Sequence, residues 1–153
     1  HPKLGEWIEQ GIKVKASIVA EDERESGKRA FLNLGHTLAH AMEGAAGYGE
    51  LTHGEAVAFG LFSDLYLSRK YTGLDIDLDS LYQWLINLGY LTVTNDVLDI
   101  DRLIPYMKLD KKNQDGKIAT ILLKKFGEPI LSTFDEEEIR QDFAEFIGYY
   151  FAV

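Results

Sequence analysis

No cysteine occurs among the 153 residues. Disulfides and thiolate metal sites are therefore excluded, which fits a reducing compartment without requiring one. Positive charge is scarce, with 16 Lys and Arg against 25 Asp and Glu and a formal net charge of −9. Phosphate backbones are bound by clustered cations, so nucleic acid is not an expected partner. No apolar run approaches the ~20 residues that span a bilayer. The apolar tail over 146–153 is far too short, and no membrane partner is expected. No leader-like segment is legible, so the expected location is cytoplasmic. The first residue is His1 rather than Met, and we expect a piece of a longer polypeptide. Repeats and low-complexity tracts are also lacking. What is present is 46% hydrophobic and 27% charged, the balance of a globular chain long enough for one domain with a core.

Apolar spacing at Leu4, Trp7, Ile8, Ile12, Ala16 and Val19 predicts helix over about 4–19. Gly5 and Gly11 leave open one helix with a break or two short ones. A charged connector follows over 21–27. A second helix is expected from about 28 to 46, ended by Gly44, Gly47 and Gly49. Thr52-His53-Gly54-Glu55 has the spacing of a capping box, which puts His53 at the first residue of a third helix. That helix is apolar nearly all round and should be the central buried one. Asp79 is the expected cap of a helix through Leu81, Tyr82, Leu85, Ile86 and Leu88, stopped by Gly89. A short helix is expected over about 101–107, then a polar loop over 110–116. Residues 118–123 read as a strand that turns at Gly127-Glu128-Pro129 into 130–132, a small hairpin. Thr133 or Asp135 caps a last helix through Ile139, Phe143, Phe146 and Ile147. The expected fold class is mainly α with one minor β-hairpin, forming a single domain over 1–153.

At 100° per residue, Arg29, Asn33, His36, His40 and Glu43 share one stripe of the expected 28–46 helix. An ordinary amphipathic helix with a solvated face is the plain alternative. A solvated face, however, usually carries Lys, Glu and Gln. Two histidines, an asparagine and an arginine are ligand and anion chemistry. His53 opens the next helix, and the Gly-rich loop between them can fold it back toward the stripe. Neutral imidazole is a common Zn2+ ligand, and a catalytic zinc takes three protein ligands and keeps one open position. Two or three of these histidines could serve, with or without a carboxylate. Residue 37 is Thr, so the His-Glu-x-x-His pattern of a metalloprotease is absent. Lys15, Arg29, Lys111 and Lys112 are the informative cations. Converging on one pocket, they would hold a substrate with carboxylate and phosphate groups. For Lys111 and Lys112 a solvated loop is the plain alternative.

Arg29-x-x-Leu32-Asn33-x-Gly35-His36-Thr37-x-x-His40-Ala41-x-Glu43, followed by His53-Gly54-Glu55-Ala56-Val57-Ala58, resembles 3-dehydroquinate synthase. So does Lys15-Ala16-x-Ile18-Val19-x-x-Asp22-Glu23-x-Glu25-x-Gly27-x-Arg29 before it, and Asp110-Lys111-Lys112 after it. The resemblance is to the helical C-terminal half of such enzymes. The N-terminal half, with its Gly-rich dinucleotide-binding fold, has no counterpart in this sequence. The family converts 3-deoxy-D-arabino-heptulosonate 7-phosphate to 3-dehydroquinate and phosphate, a step of the shikimate pathway toward aromatic amino acids. It uses NAD+ catalytically and a divalent metal, usually zinc, with cobalt as an alternative.

Position by position, the resemblance implies that His36 and His53 are metal ligands. The third ligand is a Glu in a stretch preceding His1. His40 is a catalytic pocket histidine that positions substrate or moves protons. Lys15, Arg29 and Asn33 are substrate-binding positions, Lys15 also catalytic, and Glu25 is a catalytic acid just behind them. One of Lys111 and Lys112 contacts substrate. The NAD-binding residues belong mainly to the missing half. The partners implied are the sugar-acid phosphate, the chain's own N-terminal NAD-binding domain and, in the parent enzyme, a second copy. The isolated chain is expected to be inactive. Related sugar-phosphate cyclases are a near alternative. Metal-dependent alcohol or glycerol dehydrogenases are a further one, but their substrates are not doubly anionic and leave Lys15, Arg29 and Asn33 without a task. A helical interaction module with merely structural histidines is the alternative from a different class.

Overall fold

A computed structural model describes residues 2–23, 27–47, 51–92, 95–111, 113 and 115–151. Glu25 and Lys112 lie outside the described residues. The chain divides into two compact units, His1–Asn33 and Leu34–Val153. Among the described residues no helix is long and apolar enough to cross a membrane.

The first unit begins with α1, Leu4–Glu21, which runs unbroken through Gly5 and Gly11. No residue of α1 is buried, and Leu4, Trp7, Ile8 and Ile12, spaced three, one and four, stay exposed. Asp22 shapes the chain that follows. Its Oδ2 accepts the backbone N–H of Gly27 at 2.7 Å and of Arg29 at 3.0 Å. A 3-10 helix, Lys28–Asn33, closes the unit.

The single helix expected from 28 to 46 is therefore two elements. The 3-10 helix stops at Asn33, a turn occupies 34–35, and α2 spans His36–Ala46. The break has a long-range cause. Gly35 caps α2 with a left-handed φ of 79°, and its N–H donates to Asp64 Oδ2 at 2.6 Å. Gly35 also lies against the backbone of the next helix. A Cβ on Gly35 would come within 2.8 Å of the Leu61 nitrogen, and a Cβ on Gly60 within 1.8 Å of the Gly35 oxygen. Only a pair of glycines permits that approach. The angular argument that put Arg29 and Asn33 on the stripe of His36 thus fails, because those residues are not on α2.

In the second unit α3, His53–Thr72, is the long buried helix that the sequence suggested, and its capping box is present. Thr52 N–H donates to Glu55 Oε2 at 2.9 Å, and Thr52 Oγ1 accepts from Glu55 N–H at 3.3 Å. Gly44 does not end α2 but lies inside it, where the Tyr106 ring leaves no room for a Cβ. Gly47 takes the C-cap, with φ 88°. α4 spans Leu78–Asn87 and is capped by Asp77 rather than Asp79, because Asp77 Oδ1 accepts the Ser80 N–H at 3.0 Å. A second 3-10 turn, Asn95–Leu98, leads into α5, Ile100–Lys108. From α5, Arg102 Nη2 donates to the Ala45 carbonyl at 2.6 Å, which ties down the end of α2.

The expected hairpin is β1, Ile118–Lys125, paired antiparallel with β2, Glu128–Phe134. A two-stranded ladder leaves alternate backbone groups of β1 unpaired by β2. Side chains take them up. Asn113 Oδ1 accepts from Ala119 N–H, and Thr37 Oγ1 donates to the Ala119 carbonyl. Ser68 Oγ accepts from Leu123 N–H, and Thr72 Oγ1 donates to the Leu123 carbonyl. α6, Glu136–Tyr150, starts at Asp135, whose N–H donates to Glu138 Oε2. Its apolar end closes the core. The Phe146 ring lies 5.3–5.8 Å from Tyr66, Phe62, Phe59 and Tyr150, edge or tilted contacts that add to simple burial. The molecule is mainly α with one small hairpin, the fold class read from the sequence.

Candidate functional site

α2 and α3 pack against each other, and the first turn of α3 lies beside α2. The three histidines meet there. Ring centroids of His36 and His40 are 5.5 Å apart, those of His36 and His53 5.6 Å, and those of His40 and His53 6.4 Å. His36 and His40 are one turn apart on α2, and His53 is the first residue of α3. His36 is half-buried, while His40 and His53 are exposed.

Hydrogen bonds settle which nitrogens remain for a ligand. His36 Nδ1 lies 2.9 Å from the Leu34 carbonyl oxygen. A carbonyl can only accept, so Nδ1 carries the hydrogen and Nε2 of the neutral ring keeps its lone pair. His53 Nδ1 lies 3.1 Å from Glu43 Oε1, and a carboxylate imposes the same tautomer. Two imidazoles on neighbouring helices thus keep Nε2 as a donor atom. This donor set fits a divalent metal as part of a site. Among the described residues no group of three or more His, Cys, Asp or Glu could hold an ion by itself.

The remaining predicted residues are placed as follows. Lys111 is exposed at the start of a turn whose Asn113 N–H donates to the Asp110 carbonyl. In the first unit, Lys15 is exposed on α1. Arg29 is half-buried, and its Nη1 donates to the Glu23 carbonyl at 2.8 Å. Asn33 Nδ2 donates to the Ala30 carbonyl at 3.2 Å. The structure brings together His36, His40 and His53 and adds Glu43 to them.

Asp64 was missed by the sequence reading, which took α3 as apolar nearly all round. It is 3% exposed, and its two oxygens accept from Gly35 N–H and from Thr120 Oγ1 at 2.9 Å. By anchoring Gly35 it fixes where α2, and so His36, begins. Its signal was present as a spacing of four: Asp64, Ser68 and Thr72 form one line on α3 that faces β1. The cavity lined by Thr37, Asp64, Met107, Thr120 and Phe143 lies within the core and includes none of the histidines.

Three comparisons with known proteins bear on this site. Residues 1–113 match the family model described as 3-dehydroquinate synthase C-terminal. The chain is 45% identical over 143 residues to 3-dehydroquinate synthase of Bacillus pumilus, covering 91% of this chain and 38% of the relative. It is 46% identical over 136 residues to the enzyme of that name from Halalkalibacterium halodurans, covering 89% and 38%. A solved structure of 2-deoxy-scyllo-inosose synthase, complexed with carbaglucose-6-phosphate, NAD+ and Co2+, superimposes with a TM-score of 0.68 at 27% identity. That match covers 88% of this chain and 40% of the other. The chain spans about two fifths of the length of the curated relatives it matches.

Proposed function

The chain belongs to the 3-dehydroquinate synthase C-terminal family, and on that premise we propose that it is the metal- and substrate-binding half of a 3-dehydroquinate synthase. The reaction is conversion of 3-deoxy-D-arabino-heptulosonate 7-phosphate to 3-dehydroquinate and phosphate, carried out in the cytoplasm by the intact protein. The observation that carries this reading is the pair His36 and His53, with rings 5.6 Å apart and Nδ1 of each held by an acceptor.

In this reading His36 and His53 hold the divalent metal through Nε2. The metal, zinc or cobalt, supplies a Lewis acid that polarises a substrate oxygen. His40, exposed beside both rings, orients the substrate and takes or gives a proton at a substrate oxygen. Lys15, Arg29 and Asn33 bind the carboxylate and phosphate ends, with Lys111 or Lys112 adding one further cation. Glu25 is a catalytic acid just behind the substrate-binding positions. Fixing both anionic ends selects one conformer of a flexible sugar acid, which is where positioning contributes to rate. NAD+ is bound mainly by an N-terminal domain and the third metal ligand is a Glu in the stretch preceding His1; the share of the relatives left uncovered has room for both. The exposed Leu4, Trp7, Ile8 and Ile12 suit a face of α1 that packs on that domain. The single-domain description of 1–153 and the homodimeric parent belong to the same proposal.

The test is His36→Ala and His53→Ala in the intact protein. Each is expected to lose dehydroquinate formation by on the order of 1000-fold, the equivalent of ~4 kcal/mol of lost charge stabilisation. Normal turnover and metal content in either variant would contradict the proposal. The likeness to 2-deoxy-scyllo-inosose synthase favours one second reading, a cyclase acting on a different sugar phosphate. Turnover of a six-carbon sugar phosphate in place of the heptulosonate would select it.

A further inference from the structure

The two proposed ligands are held by different means. His36 is tied to a backbone carbonyl, that of Leu34, in the turn before α2. His53 is tied to a side chain, Glu43, which lies on α2 two turns after His36. We propose that Glu43 is the positioning residue of the metal site: it holds the His53 ring in the orientation and tautomer that present Nε2, and its charge strengthens that nitrogen as a donor. The inference rests on the metal reading above.

Burial does little to orient His53. Its side chain is 59% exposed, and it stands at the first residue of a helix with no preceding turn to lean on. Glu43 is better anchored, 32% exposed and inside α2 between buried Met42 and Ala45. The 3.1 Å contact thus joins a well-placed carboxylate to a poorly constrained ring. A carboxylate that accepts the second ring N–H of a metal-bound histidine fixes the tautomer and raises the basicity of the ligating nitrogen. Glu43 plays no such part for His36, whose Nδ1 is already taken.

Zn2+ affinity, measured by competition with a chromophoric chelator, and the visible absorption of bound Co2+ test this in the intact protein. Glu43→Ala is expected to weaken Zn2+ binding by about 10- to 100-fold and to alter the Co2+ band, with the melting temperature of the metal-free protein unchanged. Glu43→Gln keeps an oxygen that accepts from Nδ1 but gives up the charge, so it should recover part of the affinity. His53→Ala should be worse than either. Wild-type affinity and an unchanged Co2+ band in Glu43→Ala, with His53→Ala impaired, would overturn the role of Glu43 and leave the metal site standing. A loss in Glu43→Gln as large as in His53→Ala would make Glu43 a ligand and also overturn it. If neither His36→Ala nor His53→Ala weakens Zn2+ binding, the metal reading fails and this inference with it.

Discussion

The histidine group, carried by α2 and α3, and the Asp64–Ser68–Thr72 line of α3 both consist of polar side chains, yet their hydrogen-bonding capacity is used differently. Inside, Asp64, Ser68 and Thr72 meet the backbone of Gly35 and Leu123 and the hydroxyl of Thr120. No buried side-chain nitrogen or oxygen among the described residues lacks a partner. At the surface, one nitrogen of His36 and one of His53 is tied back, which turns the other into a donor for something outside the chain. Buried polar groups that are fully satisfied specify the scaffold, whereas a half-engaged imidazole is available for chemistry.

Substitutions in the buried line should cost stability, and those at the surface group should cost metal binding. The largest effect is expected at the glycine contact that lets α2 start where it does. Gly60→Ala places a Cβ 1.8 Å from the Gly35 oxygen and should cost about 3 kcal/mol or more, read from urea midpoints. Asp64→Asn comes next. One amide oxygen cannot replace both carboxylate oxygens, so Gly35 N–H or Thr120 Oγ1 loses its acceptor, at about 2 kcal/mol. Because Gly35 precedes His36, the same variant should also weaken Zn2+ binding, and unaltered binding would separate scaffold from site. Ser68→Ala, which strands the Leu123 N–H, should cost about 1 kcal/mol with no effect on metal.

Alkali should loosen the core around α6. Burial, and then the negative charge of Asp79, pushes the Tyr150 hydroxyl up to about 12. An unfolded tyrosine ionises near 10. The folded state therefore binds more protons between about pH 10 and 12, and stability should fall as pH rises through that window. Melting temperatures recorded across it check the sign, and Tyr150→Phe should flatten the dependence. The smallest effect belongs to His40→Ala. Its side chain is exposed, so stability should change by less than about 0.5 kcal/mol, while turnover falls.

Local chemistry made much of this legible. The Thr52–Glu55 capping box placed His53 at a helix start from four adjacent residues, and the turn at Gly127 announced the hairpin. The spacing of His36 and His40 plus a short loop was enough to predict the three-histidine group. The failures are all long-range. Gly35 sits within a run of good helical periodicity, and nothing near it says that Gly60 and Asp64, 25 and 29 residues away, require a break there. Asp64 drew no notice because the donors to its two oxygens lie on the turn before α2 and on β1. Asp79 was the expected cap of α4, but Asp77 takes that place because its Oδ1 accepts the N–H of Ser80, three residues on. Glu43 was visible on the stripe, but its function depends on a ring ten residues away, on the next helix.

If His36 and His53 form the metal site, both offer Nε2 to one ion while Nδ1 of each stays protonated. Ring 15N chemical shifts of the labelled intact protein, followed through a Zn2+ titration, read this directly. Nε2 of both residues is expected to move to metal-bound values together, with Nδ1–H retained on each. Metal-bound shifts at Nδ1 of either ring, or saturation with Zn2+ that leaves both rings unmoved, would contradict it.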